Sequence, residues 1–176
     1  MELIFGTPIW KMDSNFFDEK QITEELIREQ KKDPDGLQVS NSGGYHSGND
    51  IHTPLTDEYI RKRLEGEEGL NFPHKVVGKW FNINDKGNSN KPHRHGFMGL
   101  SGVLFVTDAP GLVLHNDDLF SPSLLDNDNK PFTHGTLDID GKSGMIIVFP
   151  STLLHWVEPS KDDGQRITFA FNIRVT

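Results

Sequence analysis

The chain has no cysteine. Disulfides, zinc fingers, iron–sulfur clusters and thiol nucleophiles are therefore excluded, and a reducing compartment fits. No run approaches the roughly 18 consecutive apolar residues that a membrane helix needs. The start, MELIFGTPIWKMD, has neither a basic leader nor a small-residue cleavage site, so it does not read as a secretory signal. The cytoplasm is the simplest expectation, with no membrane partner. Positive charge is also scarce: the formal net charge is −8, which argues against a polyanion such as nucleic acid as partner. Lys86, Lys91 and Arg94 form one local basic group, read as loop solvation. Glycine and proline, by contrast, are plentiful, 17 and 10 of 176 residues. Such a chain has many turns and short strands. Its length suits a single domain, 1–176, and would be cramped for two.

An opening strand is expected near Leu3 to Trp10, followed by a helix. Asp13, Ser14 and Asn15 are its candidate caps, and Ile22, Leu26 and Ile27 its apolar stripe. Pro34 disfavours helix in the residue before it, so the helix should stop by Asp33. The stretch LQVSNSGGYHSGND, 37–50, reads as a glycine-rich loop in which Tyr45 and His46 are candidate substrate-side residues. A second helix is expected from Thr56 to Leu64. From His74 onward come short strand patterns with no helix between them, the texture of an antiparallel sandwich or barrel. The last one is cleanest. Ile167, Phe169, Phe171, Ile173 and Val175 alternate with Arg166, Thr168, Ala170, Asn172 and Arg174, so one face enters an apolar core. The other aligns a guanidinium, a hydroxyl and an amide, groups suited to gripping a polar ligand.

Histidines carry the chemistry. His93 and His95, spaced i, i+2 on extended chain, project to one side, and His155 on another strand can complete a facial set. Neutral imidazole suits Fe(II), Zn(II), Cu(II) and Ni(II) better than Mg(II) or Ca(II). Arg166 follows His155 by eleven residues. His115 and His134 are further polar candidates on loops.

Gly87 stands six positions before His93, and Gly144 six before Pro150, with His155 five further on. These spacings resemble the two cupin motifs. Thr152 replaces the last glycine of the second, and no glutamate follows HRH, where Gly96 to Leu100 stand. A closer resemblance is to the 2-oxoglutarate/Fe(II)-dependent oxygenases of bacteria and phages. It is carried in order by IFGTPIW, SNSGGYHS, WFN (80–82), HRH with SGVLFV, FPSTLLHWVEP and RITFAFN. The resemblance implies a mostly β fold, a cupin-like double-stranded β-helix (jelly roll) with two N-terminal helices packed on one sheet. It implies Fe(II) as metal, 2-oxoglutarate and O2 as co-substrates, and hydroxylation of a protein, peptide or small molecule with release of succinate and CO2, in the host cytoplasm if the gene is a phage's. By the same likeness His93 and His155 hold the metal and, with His95 and Arg166, form the candidate catalytic set. Arg166, helped by Thr168, takes the distal carboxylate of 2-oxoglutarate, and Asn82 and Asn172 hydrogen-bond the co-substrate or a metal-bound water. His95 stands where these enzymes usually have a carboxylate. Either three neutral imidazoles hold the ion, the preferred reading, or an acid such as Asp108, Asp117 or Asp138 completes the set. The rivals are a cupin-type dioxygenase or isomerase that uses no 2-oxoglutarate, and a jelly-roll binding module.

Overall fold

The computed structural model describes residues 7–13, 16–66, 69–96, 99–115, 135–161 and 163–176. Along the chain these form β1 (Trp10–Met12), α1 (Glu19–Lys32), β2 (Asn41–Ser42), β3 (Tyr45–His46), α2 (Pro54–Leu64), β4 (His74–Asn84), β5 (Ser89–His93), β6 (Leu100–Phe105), β7 (Ala109–His115), β8 (Thr136–Gly141), β9 (Ile146–Pro150), β10 (Leu154–Val157) and β11 (Arg166–Val175). Two antiparallel sheets result. The major one is ordered β1-β9-β6-β11-β4-β3 and the minor one β2-β5-β10-β7-β8. From β4 to β11 consecutive strands alternate between the sheets, except that β7 and β8 pair with each other in the minor one; such crossing from sheet to sheet is the jelly-roll pattern.

The helices differ from the expected spans at their starts. Asp18, not Asp13 to Asn15, caps α1: its Oδ1 accepts the Gln21 N–H at 3.0 Å and its Oδ2 the Gln21 side-chain amide at 2.7 Å, a side-chain N-cap strengthened by a second bond to the same residue. Phe17 just before it stands edge-on to Tyr59 of α2, with ring centroids 4.9 Å apart. α2 begins at Pro54, earlier than Thr56, because proline is preorganised for the first helical position. Its cap residue, Thr53, turns its hydroxyl to Asp57 Oδ1 (3.3 Å) and makes no side-chain bond to the free backbone N–H groups of the helix. Glu25 of α1 does that work instead. Buried at 3 % exposure, its carboxylate accepts the N–H groups of Leu55 and Thr56, each at 2.9 Å, and the Thr56 hydroxyl at 2.6 Å. The opening strand is β1, later than Leu3 to Trp10; residues 3–6 lie outside the described residues.

The alternation along β11 divides the molecule into two cores. Ile167, Phe169, Phe171 and Ile173, at most 2 % exposed, join Ile22, Leu26, Ile60 and Leu64 of the helices beneath the outer face of the major sheet. Phe105, Leu112, Leu114, Ile147 and Phe149 fill the space between the sheets. Arg166, Thr168 and Ala170 turn inward and line the cavity left there. The two motif glycines have one role. Gly87 and Gly144, both at φ +82°, occupy the third position of turns closed by Asn88 N–H to Asp85 O (3.1 Å) and Met145 N–H to Lys142 O (2.9 Å). A type II turn demands positive φ there, and each turn launches a strand, β5 or β9, toward the site.

Candidate metal and anion site

β5 and β10 are hydrogen-bonded neighbours with His93 directly opposite His155, which puts both side chains on one face at close range. His95 lies just beyond β5, where its N–H donates to Ser151 O at 2.9 Å. The three imidazoles converge. Their centroids are 4.3 Å (His93–His155), 4.9 Å (His95–His155) and 5.1 Å (His93–His95) apart, and one nitrogen from each lies within 4.8 Å of the others. The inward-pointing nitrogens are fixed by what the outward ones do. His93 Nδ1 is 2.7 Å from Lys91 O, and His155 Nδ1 is 2.8 Å from Leu153 O. A carbonyl only accepts, so both Nδ1 atoms carry the proton and both Nε2 atoms keep a lone pair. His95 Nδ1 is 2.8 Å from Ser101 Oγ and 3.0 Å from Asn172 Oδ1. Burial pushes the pKa of all three rings down, that of His155 to about 3. At neutral pH the cluster is uncharged and ready to donate to a cation. Phe149 covers His155 edge-on at 5.0 Å and Trp80 covers His95 at 5.3 Å.

Arg166 sits in the same cavity, 4 % exposed. Nη1 donates to Glu158 O (2.9 Å) and Pro110 O (3.3 Å), and Nη2 to Asn88 O (3.1 Å). These bonds lock the guanidinium plane and use three of its five N–H groups. Among the described residues Nε has no partner, although it is buried. Its N–H lies on the edge of the fork that Nε shares with Nη2, the edge that can receive a carboxylate bidentately. An orphaned buried donor is costly unless a ligand satisfies it.

Thr168 and Asn82 line this cavity, and Asn82 Oδ1 is buried without a partner among the described residues. Asn172, expected to bond the co-substrate or a metal-bound water, has its Oδ1 3.0 Å from His95 Nδ1. It shares the inward face of β11 but lies at the His95 end. No Asp or Glu lines the cavity among the described residues. Asp108 is spent on Ser143 N–H (2.9 Å) and Lys142, Asp138 is exposed on β8, and Asp117 and His134 lie outside the described residues. Tyr45 faces the outer core against Phe81 (5.4 Å). His46 faces inward and stacks on Trp80 at 5.9 Å and 10°. His115 packs near Trp156 (6.2 Å) and does not line the cavity. Sequence reading missed Ser101 and Ser151, which complete the surroundings of His95, and Asn90 and Ser40, which line the anion end through Asn84 Nδ2–H to Asn90 Oδ1 (3.4 Å) and Asn90 Nδ2–H to Ser40 Oγ (3.2 Å). Ser101 was discoverable: it precedes Val103 and Phe105 on an alternating strand that ends inside the sandwich.

A jelly roll whose cavity joins three neutral imidazoles to a half-satisfied arginine fork defines the class of double-stranded β-helix oxygenases. The family described as "Putative 2OG-Fe(II) oxygenase" matches residues 78–172, more than half of the chain and including the three histidines and Arg166. The chain belongs to this family, and is thus a dioxygenase that uses Fe(II) and 2-oxoglutarate. Solved structures agree on the fold. HygX from Streptomyces hygroscopicus, with nickel and 2-oxoglutarate bound, is 13 % identical with TM-score 0.65, covering 97 % of this chain and 83 % of its own. A Pseudomonas putida prolyl-4-hydroxylase is 16 % identical with TM-score 0.63, over 97 % and 94 %. The carbocyclase SnoK of nogalamycin biosynthesis is 10 % identical with TM-score 0.69, over 95 % and 80 %. No curated protein matches the sequence. No helix among the described residues is long and apolar enough to cross a membrane.

Proposed function

We propose that the enzyme hydroxylates a C–H bond of a protein, peptide or small-molecule substrate, converting 2-oxoglutarate and O2 to succinate and CO2, with His93, His95 and His155 holding Fe(II) and Arg166 holding the distal carboxylate of 2-oxoglutarate. The observation that carries it is the open Nε/Nη2 edge of Arg166 in the cavity that the three imidazoles share. Bound there, the metal supplies the redox centre at which 2-oxoglutarate and O2 react. The chain does the rest. Carbonyls of Lys91 and Leu153 hold protons on Nδ1 of His93 and His155 and so present the opposite nitrogens. Carbonyls of Pro110, Glu158 and Asn88 fix the fork, so that one carboxylate orientation is selected before binding. Thr168 offers a hydroxyl beside it. Phe105, Leu112, Val157 and Phe149 exclude water from the inner cavity. Hydroxylation finds support in a fold that a prolyl-4-hydroxylase shares.

The test is anaerobic titration of 2-oxoglutarate into the Fe(II)-loaded protein, followed by its visible charge-transfer band, with succinate release measured aerobically. Arg166→Lys keeps the charge but has no planar fork. A bidentate charged pair contributes about 1.5–3 kcal/mol, so the variant should need roughly 10- to 100-fold more 2-oxoglutarate. A wild-type protein that gives neither band nor succinate, or a lysine variant with unchanged affinity, overturns the reading.

A further inference from the structure

We infer that Asn172 is a positioning residue that makes His95 a metal ligand by fixing which of its nitrogens carries the proton. The inference rests on the reading that the three imidazoles share one metal ion. His93 and His155 need no such help, because each Nδ1 meets a backbone carbonyl that can only accept. His95 differs. Its Nδ1 meets a hydroxyl and an amide: Ser101 Oγ at 2.8 Å and Asn172 Oδ1 at 3.0 Å. A hydroxyl can donate or accept, so Ser101 leaves the tautomer open. The amide oxygen cannot donate. Facing it, Nδ1 must hold the proton, and Nε2 keeps the lone pair that a cation requires.

The remaining hydrogens run the same way. Ser101 Oγ gives its proton to Asn172 Oδ1 at 3.2 Å and can receive one from Ser151 Oγ at 2.9 Å. Ser101 is 1 % exposed, Ser151 0 % and Asn172 8 %, so water does not compete freely for these atoms. The backbone holds the group in register, with His95 N–H on Ser151 O (2.9 Å) and Ser151 N–H on Gly99 O (3.0 Å). Were the Asn172 amide turned over, its N–H would donate to Nδ1, the proton would move to Nε2, and the ring could not bind metal. The amide carbonyl also polarises the imidazole, as a carboxylate would, without bringing a charge. Asn172 thereby supports a neutral ring at the position where related oxygenases use an acid.

The experiment is Co(II) titration of the apo-protein, read by the visible d–d spectrum, in wild type, Asn172→Leu, Asn172→Asp and Ser101→Ala, with circular dichroism confirming each fold. Loss of an outer partner of a ligating histidine typically lowers metal affinity 10- to 100-fold, and that loss is expected for Asn172→Leu, with a spectrum shifted toward fewer nitrogen donors. Asn172→Asp, also an acceptor at this position, should bind at least as tightly as wild type, and Ser101→Ala within a few-fold of it. Leucine binding as well as asparagine, or aspartate failing as badly as leucine, overturns the inference. If aspartate does not fold, the leucine affinity and spectrum decide alone. A wild-type protein that binds no Co(II), or a His93→Ala variant that binds it undiminished, would instead remove the metal reading itself.

Discussion

His155 shows how one residue couples folding to readiness for metal. It is 5 % exposed, with its Nδ1 on Leu153 O (2.8 Å), and its pKa is pushed down to about 3, chiefly by burial. In the unfolded chain the same ring titrates near the usual value of about 6.5. The unfolded state therefore binds more protons between these values, and stability falls as pH drops through that window. The metal-free protein should lose about 1.4 kcal/mol per pH unit for each histidine that stays neutral in the fold, beginning below pH ~6.5, with His93 and His95 adding to His155 because burial lowers them too. Urea unfolding at several pH values between 7 and 4 measures the slope, and His155→Leu should make it shallower. A flat profile would contradict the buried neutral cluster. Arg166 has a comparable double role. Its replacement by alanine would strand three carbonyls and remove the ligand edge, so Arg166→Ala should lower stability by about 2–3 kcal/mol, and thermal unfolding without ligands should separate this loss from any change in co-substrate binding.

Among the elements, α1 and α2 depend on each other through Glu25. The carboxylate accepts two N–H groups and a hydroxyl at the start of α2, so Glu25→Ala should cost about 2–3 kcal/mol, read by urea unfolding, while the 2-oxoglutarate affinity of the folded protein stays unchanged. A loss below about 0.5 kcal/mol, the usual bound for a surface substitution, would show that water replaces the carboxylate. This contact was not legible in the sequence. Glu25 reads there as one more charged residue on a helix, and only the packing of two helices brings it to a neighbouring N-terminus. What was legible followed from periodicity and geometry of short range. The alternation of β11 separated the core face from the site face, and the HxH spacing with the two glycine turns located β5 and β9. Asn172 fell on the correct face, but its contact with His95 was not legible, because position along a strand depends on register with β4 and β6, which periodicity does not encode. The carbonyls that hold Arg166 come from three separate segments and leave no trace in residue identity.

At the scale of the whole molecule, charge is the property that sets this cavity apart. The chain as a whole is acidic, at −8, yet its described cavity-lining residues include no carboxylate, three neutral imidazoles and one buried guanidinium. A divalent ion would bring the interior to a formal +3, and 2-oxoglutarate, a dianion, would return it to +1. In a site with a carboxylate in place of His95 the same steps would run from +2 to zero. Like charges in a poorly hydrated space repel strongly, so metal alone should bind less tightly here than metal with co-substrate. Linkage makes the effect reciprocal. 2-Oxoglutarate should tighten Co(II) binding by roughly 5- to 150-fold, the common range for coupled sites, and Co(II) should tighten 2-oxoglutarate binding by the same factor. Calorimetric titration of each ligand with and without the other measures both legs of the cycle. His95→Asp supplies the control, since a first-sphere carboxylate should raise the affinity for Co(II) alone and shrink the coupling factor. Equal coupling in the two proteins would mean that direct chelation of the ion by 2-oxoglutarate, and not the uncompensated charge of this cavity, accounts for the cooperativity.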